Sequence, residues 1–268
     1  MSKYSRYIDR ERYFAELAQT SEEFILPYIR HFHELSSNDK VLEVGCGEGG
    51  LLCPFATRGC EVTGVDISDS KIENASLFYK KRHLKGMFFT ENILDDNTAL
   101  AGKTFDIIIV HDVIEHIEPG SKKLFVDMLG RYLAPDGLIY IGFPAWYMPF
   151  GGHQQICKKP IGKNLPFTHL LPLKAYRSFL KKCGEDEVVI EELTSIYRSR
   201  MTIEKFEALS IDSGFETIDR KLWLINPHYK AKFNLFPIKL PFFLSGIPHI
   251  RNVFSSSCFY ILKRKENE

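Results

Sequence analysis

Four histidines combine suitable chemistry with a suitable position in the chain to act as proton acceptors. His111 and His116 follow an apolar, strand-like run, whereas His153 and His169 lie in irregular sequence after a later run. An imidazole titrates near neutrality and can remove a proton from a hydroxyl or a protonated amine. We assign catalytic roles to His153, whose loop is loosened by two preceding glycines, and to His116. His153 could instead only hydrogen-bond the loop to the sheet, and His169 is expected to be structural or to line the substrate wall.

A cluster of glycines after a short apolar run is the most informative part of the sequence. Residues 41–44 are typical of a strand, and Gly45 and Gly47 follow it at alternate positions. Glycine lets the chain turn sharply and bring bare backbone amides against a ligand. Asp66 lies 21 residues beyond Gly45, at the end of a second run. A carboxylate there can accept both hydroxyls of an adenosine ribose, so the order predicts a nucleotide site.

Two adenosine-containing ligands fit this pattern. Gly45, Gly47 and Gly50 also match the GxGxxG of a dinucleotide site, which leaves an NAD(P)-dependent oxidoreductase as an alternative. Glu43 favours a sulfonium cofactor, because a carboxylate suits a cationic methionine better than a pyrophosphate. Gly49, which gives the tighter GxGxG form, favours it too. A non-catalytic nucleotide-binding protein stays open as a third interpretation.

The elements around these residues alternate in type, which predicts a parallel, doubly wound α/β sheet. Helical patterns at 69–82 and 121–133 separate apolar runs, and a later helix at 202–214 precedes two more. The predicted strands are 41–44, 61–67, 87–89, 105–110, 138–143, 216–225 and 257–262.

The chain is expected to form one domain over residues 1–268. Residues 1–36 are interpreted as an N-terminal helical lid, with a break near Pro27. Residues 145–200 and 227–252 are irregular and are interpreted as insertions that form an acceptor cap over the carboxyl edge of the sheet, where open α/β sheets bind ligands.

Composition and charge exclude several classes of protein. With 35 basic and 34 acidic residues, the net charge is +1, and no global field favours nucleic acid. The six cysteines include no CxxC pair, so neither a zinc cluster nor a disulfide scaffold is expected. No signal peptide or spanning segment is apparent, and a cytoplasmic location is expected.

The motifs together resemble those of class I S-adenosylmethionine-dependent methyltransferases of the small-molecule type (types 11 and 12). VLEVGCGEGG at 41–50 resembles that family's first motif, GVDIS at 64–68 its second, and FDIIIVHDVIEHI at 105–117 its fourth-strand motif. LAPDGLIYIGFP resembles the loop and strand that usually read L-x-P-G-G, with Asp136 replacing the first glycine. The resemblance implies a Rossmann-like sheet of seven strands with the last one antiparallel, and catalysis with S-adenosylmethionine, leaving S-adenosylhomocysteine.

The resemblance also implies roles by position. Asp66 would hold the ribose hydroxyls and Ile67 would pack on the adenine. Asn92 stands where the family often has an aspartate facing the adenine amino group, and an amide oxygen can accept there too. The full implied cofactor site is Glu43, Gly45, Cys46, Gly47, Gly49, Asp66, Ile67, Asn92, Ile93, His111 and Asp112.

A divalent metal is the alternative to a histidine base. Some methyltransferases carry Glu-x-x-Glu-His at this place, and Asp112, Glu115, His116 and His153 would give a mixed oxygen and nitrogen ligand set. The same Glu-His pair is common at a helix start without metal, and Asp112 is shorter than the family's glutamate. We therefore assign no metal.

The expected reaction is O-methylation of a small hydroxylated metabolite, saccharide or secondary metabolite, with N- or C-methylation or a lipid-linked acceptor as alternatives. No nucleic-acid partner is expected. The apolar stretch 233–250 could rest on a membrane, but we expect it to fold back as cap. The aromatic and sulfur-containing residues that could wall the acceptor pocket are Tyr7, Trp146, Tyr147, Met148, Phe150, Phe167, Tyr176 and Trp223.

Overall fold

Short β-branched runs form the centre of one mixed sheet, as the sequence predicts. In the computed structural model, which describes residues 9–95 and 99–265, the sheet has the order β3-β2-β1-β4-β5-β8-β6-β7. Tyr7 and the first eight positions of the expected lid lie outside the described residues. The strands are β1 (Lys40–Val44), β2 (Glu61–Asp66), β3 (Met87–Thr90), β4 (Phe105–His111), β5 (Leu133–Phe143), β6 (Phe215–Ile225), β7 (Ile238–Lys239) and β8 (Ser257–Arg264).

The strand pairing confirms the Rossmann-like α/β class. Strands β1 to β5 are parallel to one another, and β8 is antiparallel to both β5 and β6. The seven predicted strands are all present, and β7 adds a two-residue edge strand within a stretch expected to be irregular. Because β1 leads to β2 on one side and pairs with β4 on the other, the order reverses at β1, which places a crevice at its carboxyl end.

The helices lie between the strands and in the two insertions. Asp69–Lys81 and Lys122–Tyr132 match the helices predicted at 69–82 and 121–133. The helices are α1 (Arg10–Thr20), α2 (Leu26–Arg30), α3 (Cys53–Thr57), α4 (Asp69–Lys81), α5 (Lys122–Tyr132), α6 (Pro160–Asn164), α7 (Leu173–Lys182), α8 (Glu187–Ser199), α9 (Ile203–Asp212), α10 (His228–Phe233), α11 (Phe242–Ser245) and α12 (Ile250–Phe254). None of the described helices is long and apolar enough to pass through a lipid bilayer.

The N-terminal helix does not break at Pro27. Instead, α1 and α2 are joined by a π-helical turn, Ser21–Ile25, directly before the proline. Proline cannot donate a backbone hydrogen bond, and a widened turn accommodates that loss without ending the helix. Phe14, Ile25 and Ile29 face the sheet and are buried.

Two expectations of local structure were wrong. Residues 135–137, Pro-Asp-Gly, were expected to form a turn, but β5 begins earlier, at Leu133, and passes through them. The register against β4 shifts between Phe105 and Ile107, which absorbs the irregular residues. The acidic stretch 185–192 was not predicted as a helix, yet α8 begins there, capped by Asp186, whose Oδ1 accepts from the Val189 amide at 3.0 Å.

Apolar residues form one core on each face of the sheet and a third within residues 145–200. The third core holds this insertion together independently of the sheet. Its buried members are Trp146, Cys157, Tyr176, Leu180, Ile190, Leu193, Ile196 and Tyr197.

Candidate active site at the carboxyl edge of the sheet

The glycine loop leaves β1 by a sharp turn that is held against β2. The amides of Gly45 and Cys46 both donate to the Val65 carbonyl, at 2.8 and 3.0 Å. Gly45 has a φ of +74°, and a Cβ added there would lie 2.4 Å from Val113 Cγ2. Any side chain at residue 45 would therefore be strained and would collide with the segment that follows β4.

Asp66 closes this loop from the end of β2. Its Oδ2 accepts from the Gly47 amide at 2.9 Å, and its Oδ1 accepts from the Ser68 amide at 3.0 Å. The Lys71 ammonium lies 3.7 Å from Oδ2. Each carboxylate oxygen has two lone pairs, so Asp66 keeps acceptor capacity for a ligand after binding the backbone.

Glu43 lies beneath the loop and is almost completely buried. Its Oε2 has no hydrogen-bond partner among the described residues. Burial raises the pKa of Glu43, and the nearby charges of Asp66 and Glu48 raise it further. A buried carboxyl oxygen without a partner is costly, and a cationic group beside it would remove that cost.

Cys46 packs its side chain between the loop and β2, and its thiol donates to the Gly47 carbonyl at 3.6 Å. Its Sγ atom lies against Gly64 of β2, so that a Cβ added to Gly64 would be only 2.7 Å from the sulfur, and Cys46 is buried. Any ligand contact by Cys46 would therefore come from its backbone.

Three positions after β2 and β3 differ in what they present to solvent. Ile67 is 77% exposed, which leaves an apolar surface open beside Asp66. The Asn92 Oδ1 accepts from the Leu94 amide and its Nδ2 donates to Asp95, both at 3.2 Å. Ile93 packs its side chain into the core. Asn92 thus shapes the turn, and a contact from Ile93 would have to come from its backbone.

His111 and Asp112 end β4 in fixed positions. The His111 Nδ1 shares a hydrogen bond of 3.0 Å with the Tyr140 hydroxyl, and the two rings are stacked at an angle of 12°. Asp112 has a φ of +54°, in the left-handed region that is unfavourable for a residue with a side chain. Strain of this kind concentrates at functional sites.

Glu115, His116 and His153 meet at the same edge of the sheet. The Glu115 Oε1 lies 3.5 Å from His153 Nε2 and 4.0 Å from His116 Nε2, and the two imidazole rings are 4.9 Å apart. The Glu115 oxygens and His153 Nε2 have no hydrogen-bond partner in the described part of the chain. The sequence prediction placed His116 and His153 in one site, and the structure brings them together. Asp112, a fourth member of the alternative metal set, is outside the group of three whose ligand atoms lie within 4.8 Å of one another.

Burial dominates the titration of this group. It raises the pKa of Glu115, with Asp112 adding to the rise, and it lowers the pKa of His153 to about 3. It also lowers the pKa of His116, against the opposing charge of Asp112. Near neutral pH, both histidines are therefore uncharged, and the pKa of about 3 makes His153 a poor proton acceptor.

His169 supports the insertion from within. Its Nε2 contacts the Trp146 carbonyl oxygen at 2.7 Å and its Nδ1 contacts Gln154 at 2.8 Å. The residue is completely buried, so its ring holds the insertion together, as the structural interpretation expected.

Three supporting residues were missed by sequence reasoning. Arg10 of α1 binds the buried Glu48 in the glycine loop, with Nε 2.5 Å from Oε1. The Tyr79 hydroxyl donates to the Gly49 carbonyl at 3.0 Å. Tyr140 orients His111. Of the three, only Arg10 had any signal in the sequence, and that signal lay in its partner Glu48 inside the glycine motif, because a buried acid requires a cationic partner.

The sequence is similar to those of known methyltransferases. The profile of a methyltransferase domain family matches residues 10–151, more than half of the chain. The ubiquinone biosynthesis O-methyltransferase of Rickettsia akari (strain Hartford) is 32% identical over 120 residues, 44% of this chain and 46% of that protein. Its counterpart in Bartonella tribocorum (strain CIP 105476 / IBS 506) is 30% identical over 167 residues, 60% of this chain and 64% of the relative. The chain thus spans about half the length of these relatives.

Solved structures share the fold over nearly all of the chain. A magnesium protoporphyrin IX methyltransferase from Synechocystis PCC 6803 with bound SAH has a TM-score of 0.55 at 15% identity, covering 93% of this chain and 84% of that one. An S-adenosylmethionine-dependent methyltransferase from Clostridium acetobutylicum ATCC 824 has a TM-score of 0.59 at 11% identity, covering 98% and 96%. At these identities the likeness concerns the fold alone.

Proposed function

The chain belongs to the methyltransferase domain family, and from that premise we propose that it transfers a methyl group from S-adenosylmethionine to an oxygen of a small hydroxylated acceptor. The name of its relatives, ubiquinone biosynthesis O-methyltransferase, supports the choice of oxygen. The observation that carries the proposal is a buried, unpartnered carboxyl group, Glu115, between two neutral histidines beside the glycine loop.

The residues around the loop fit the proposed cofactor. Asp66 has acceptor capacity for the ribose hydroxyls, and Ile67 offers an apolar surface to the adenine. The unpartnered oxygen of Glu43 suits the ammonium of the methionine end. Among the described residues, a Cβ on Gly47 would meet only Lys71 Cδ, at 4.0 Å, so the loop backbone is open to a ligand. When bound, the cofactor supplies an electrophilic methyl group for an in-line displacement.

His116 is placed to accept the proton of the acceptor. Its side chain is 37% exposed, whereas that of His153 is 12% exposed. His153, the first choice from the sequence, lies deeper and touches both His116 and Glu115. We therefore assign proton removal to His116 and the positioning of its ring to His153 and Glu115. As the carbon–sulfur bond breaks, the acceptor oxygen bonds to the methyl carbon and its proton passes to His116.

A divalent cation is the second candidate for the same three residues. One oxygen of Glu115 and one nitrogen each of His116 and His153 would give a mixed ligand set, with open positions for an acceptor. Such an ion would orient the acceptor oxygen and lower the pKa of its hydroxyl. If methyl transfer survives treatment with a chelator, the proton is removed by the histidine without a metal. If activity is lost and returns when the divalent cation is added, the cation is favoured.

The lid and the cap remain proposals that fit the contacts of the first helix. A Cβ on Gly50 would lie 2.7 Å from the Phe14 carbonyl oxygen, so α1 lies directly on the glycine loop. Thr20 of the same helix contacts His228 Nδ1 at 3.0 Å, which joins the lid to the second insertion. We propose that the N-terminal helices cover the cofactor and that residues 145–200 and 227–252 cover the acceptor.

A screen of hydroxylated molecules with a methyl-labelled cofactor tests the reaction. We expect label in an ether product and a loss of about 10²–10⁴-fold in kcat for His116→Gln, the usual contribution of a general base. His83→Gln, at an exposed histidine just after the end of α4 and outside both insertions, is the matched control and should keep full activity. Label only on nitrogen or carbon would contradict the proposed acceptor atom.

A further inference from the structure

The segment between β6 and β8 exposes an unusually apolar surface. Three phenylalanines there are largely exposed: Phe242 by 91%, Phe236 by 77% and Phe243 by 68%. The exposure of several large apolar side chains within one short segment is typical of an interaction surface. We call this surface the apolar face and define it by its exposed residues Leu235, Phe236, Ile238, Phe242, Phe243 and Ile250.

The apolar face is fixed to the fold beneath it. Leu240 is buried and its amide donates to the Leu222 carbonyl at 2.8 Å. Leu244 packs against the core, and the Asn252 Oδ1 accepts from the Ile203 amide at 2.8 Å. The segment was expected to fold back as cap. Leu240 and Leu244 do face the core, but the phenylalanines of α11 are exposed to solvent.

The charge of this region has one sign. Residues 220–265 contain nine lysines and arginines and neither aspartate nor glutamate. The remainder of the chain holds the other 26 basic residues and all 34 acidic ones, a net charge of −8. Three acidic residues packed against the segment offset part of this charge, because Glu204 and Glu207 both bind Arg251 and Glu23 binds Lys230. Lys239, on β7 beside Ile238, is exposed.

We propose that the apolar face docks on the surface of an anionic lipid bilayer. Aromatic side chains would enter the boundary between headgroups and acyl chains, and the surrounding cations would meet the headgroup phosphates. A protein partner would need acidic groups arranged around an apolar centre. An anionic bilayer supplies both features, because its charged headgroups lie directly above its apolar acyl chains. This docking does not depend on the proposed reaction.

Docking would bring the candidate site close to the bilayer. Helix α10 directly precedes the apolar face in the chain and contacts α1 through His228 and Thr20. Helix α1 in turn lies directly on the glycine loop, where a Cβ on Gly50 would come within 2.7 Å of the Phe14 carbonyl oxygen. An acceptor dissolved in the membrane would therefore have a short path to the site.

Sedimentation of the full chain with lipid vesicles tests the proposal. Vesicles of phosphatidylcholine mixed with phosphatidylglycerol should bind the protein, and vesicles of phosphatidylcholine alone should bind it much more weakly. We expect the double variant Phe242→Ser and Phe243→Ser to bind the mixed vesicles at least about tenfold more weakly than the unaltered chain does. Lys239→Glu should weaken binding to mixed vesicles about tenfold while leaving the weak binding to phosphatidylcholine unchanged.

A matched double variant controls for the loss of exposed apolar residues as such. Val188 and Ile211, which are 78% and 68% exposed on α8 and α9, are replaced together by serine. This variant should bind vesicles as the unaltered chain does, and all variants should keep its unfolding temperature.

Two results would overturn the proposal. One is vesicle binding that is absent in the unaltered chain, or equal in the phenylalanine and control variants. The other is a dimer in sedimentation velocity that only the phenylalanine variant dissociates, which would assign the apolar face to a second copy of the chain.

Discussion

A single added methyl group at Gly45 tests how closely the glycine loop approaches the segment after β4. With φ at +74°, alanine would cost about 1–2 kcal/mol in backbone energy. Its Cβ would lie 2.4 Å from Val113 Cγ2, and relieving such overlap costs about 1–3 kcal/mol. We therefore expect Gly45→Ala to lower the free energy of unfolding by about 2–5 kcal/mol, measured by urea denaturation followed by circular dichroism.

Two further variants separate the backbone cost from the overlap. Gly102 has the same φ of +74°, and no atom of the described residues lies within 4 Å of an added Cβ, so Gly102→Ala should show the backbone cost alone, about 1–2 kcal/mol. In a Val113→Ala background, the nearest remaining side-chain atom is Cβ at 3.6 Å, and Gly45→Ala should cost about the same there. Costs of Gly45→Ala and Val113→Ala that simply add, within about 0.5 kcal/mol, would refute the close approach.

The remaining predictions concern the neighbouring ionisable groups. His153→Gln should lower kcat with little change in KM, because His153 positions His116, and a loss confined to KM would contradict this assignment. Since the folded pKa of His153 is about 3 and the ordinary value is 6.5, the unfolded chain takes up a proton first as the pH falls. Between pH 7 and pH 5, the free energy of unfolding should therefore fall by about 2 kcal/mol less in His153→Gln than in the unaltered chain, measured by denaturation at both pH values. Arg10→Met should lower the free energy of unfolding by about 3 kcal/mol by leaving Glu48 buried without its partner, and adding Glu48→Gln should restore part of it. No recovery in that double variant would show that the ion pair is not the cause.

Much of the sheet and of the glycine loop could be predicted from the sequence. The runs at β1, β2 and β4 are short, β-branched and bounded by glycine or acid, which leaves little choice of element. Gly45 was predictable because a sharp turn against a neighbouring segment excludes a side chain, and Asp66 because it follows the second strand at a fixed distance from the glycines. These constraints are local, so they are visible in the sequence.

The residues that support the site were less predictable, because their partners are distant in sequence. Arg10 meets Glu48 across 38 positions, and Tyr140 meets His111 across 29. The relative depth of His116 and His153 also depends on how residues 145–200 pack, which no periodic pattern encodes. Helix α8 was missed because its acidic start resembles a solvated loop until the cap at Asp186 is placed.

Calorimetry with S-adenosylhomocysteine tests whether the glycine loop and Asp66 bind an adenosine. The unaltered chain should bind this nucleoside in preference to NAD, and Asp66→Ala should bind it about 10- to 100-fold more weakly, the usual loss for a charged hydrogen-bond acceptor. Glu73→Gln, at an exposed acid on α4, should bind as the unaltered chain does. A folded chain that does not bind the nucleoside, or equal affinity in Asp66→Ala, would contradict the account.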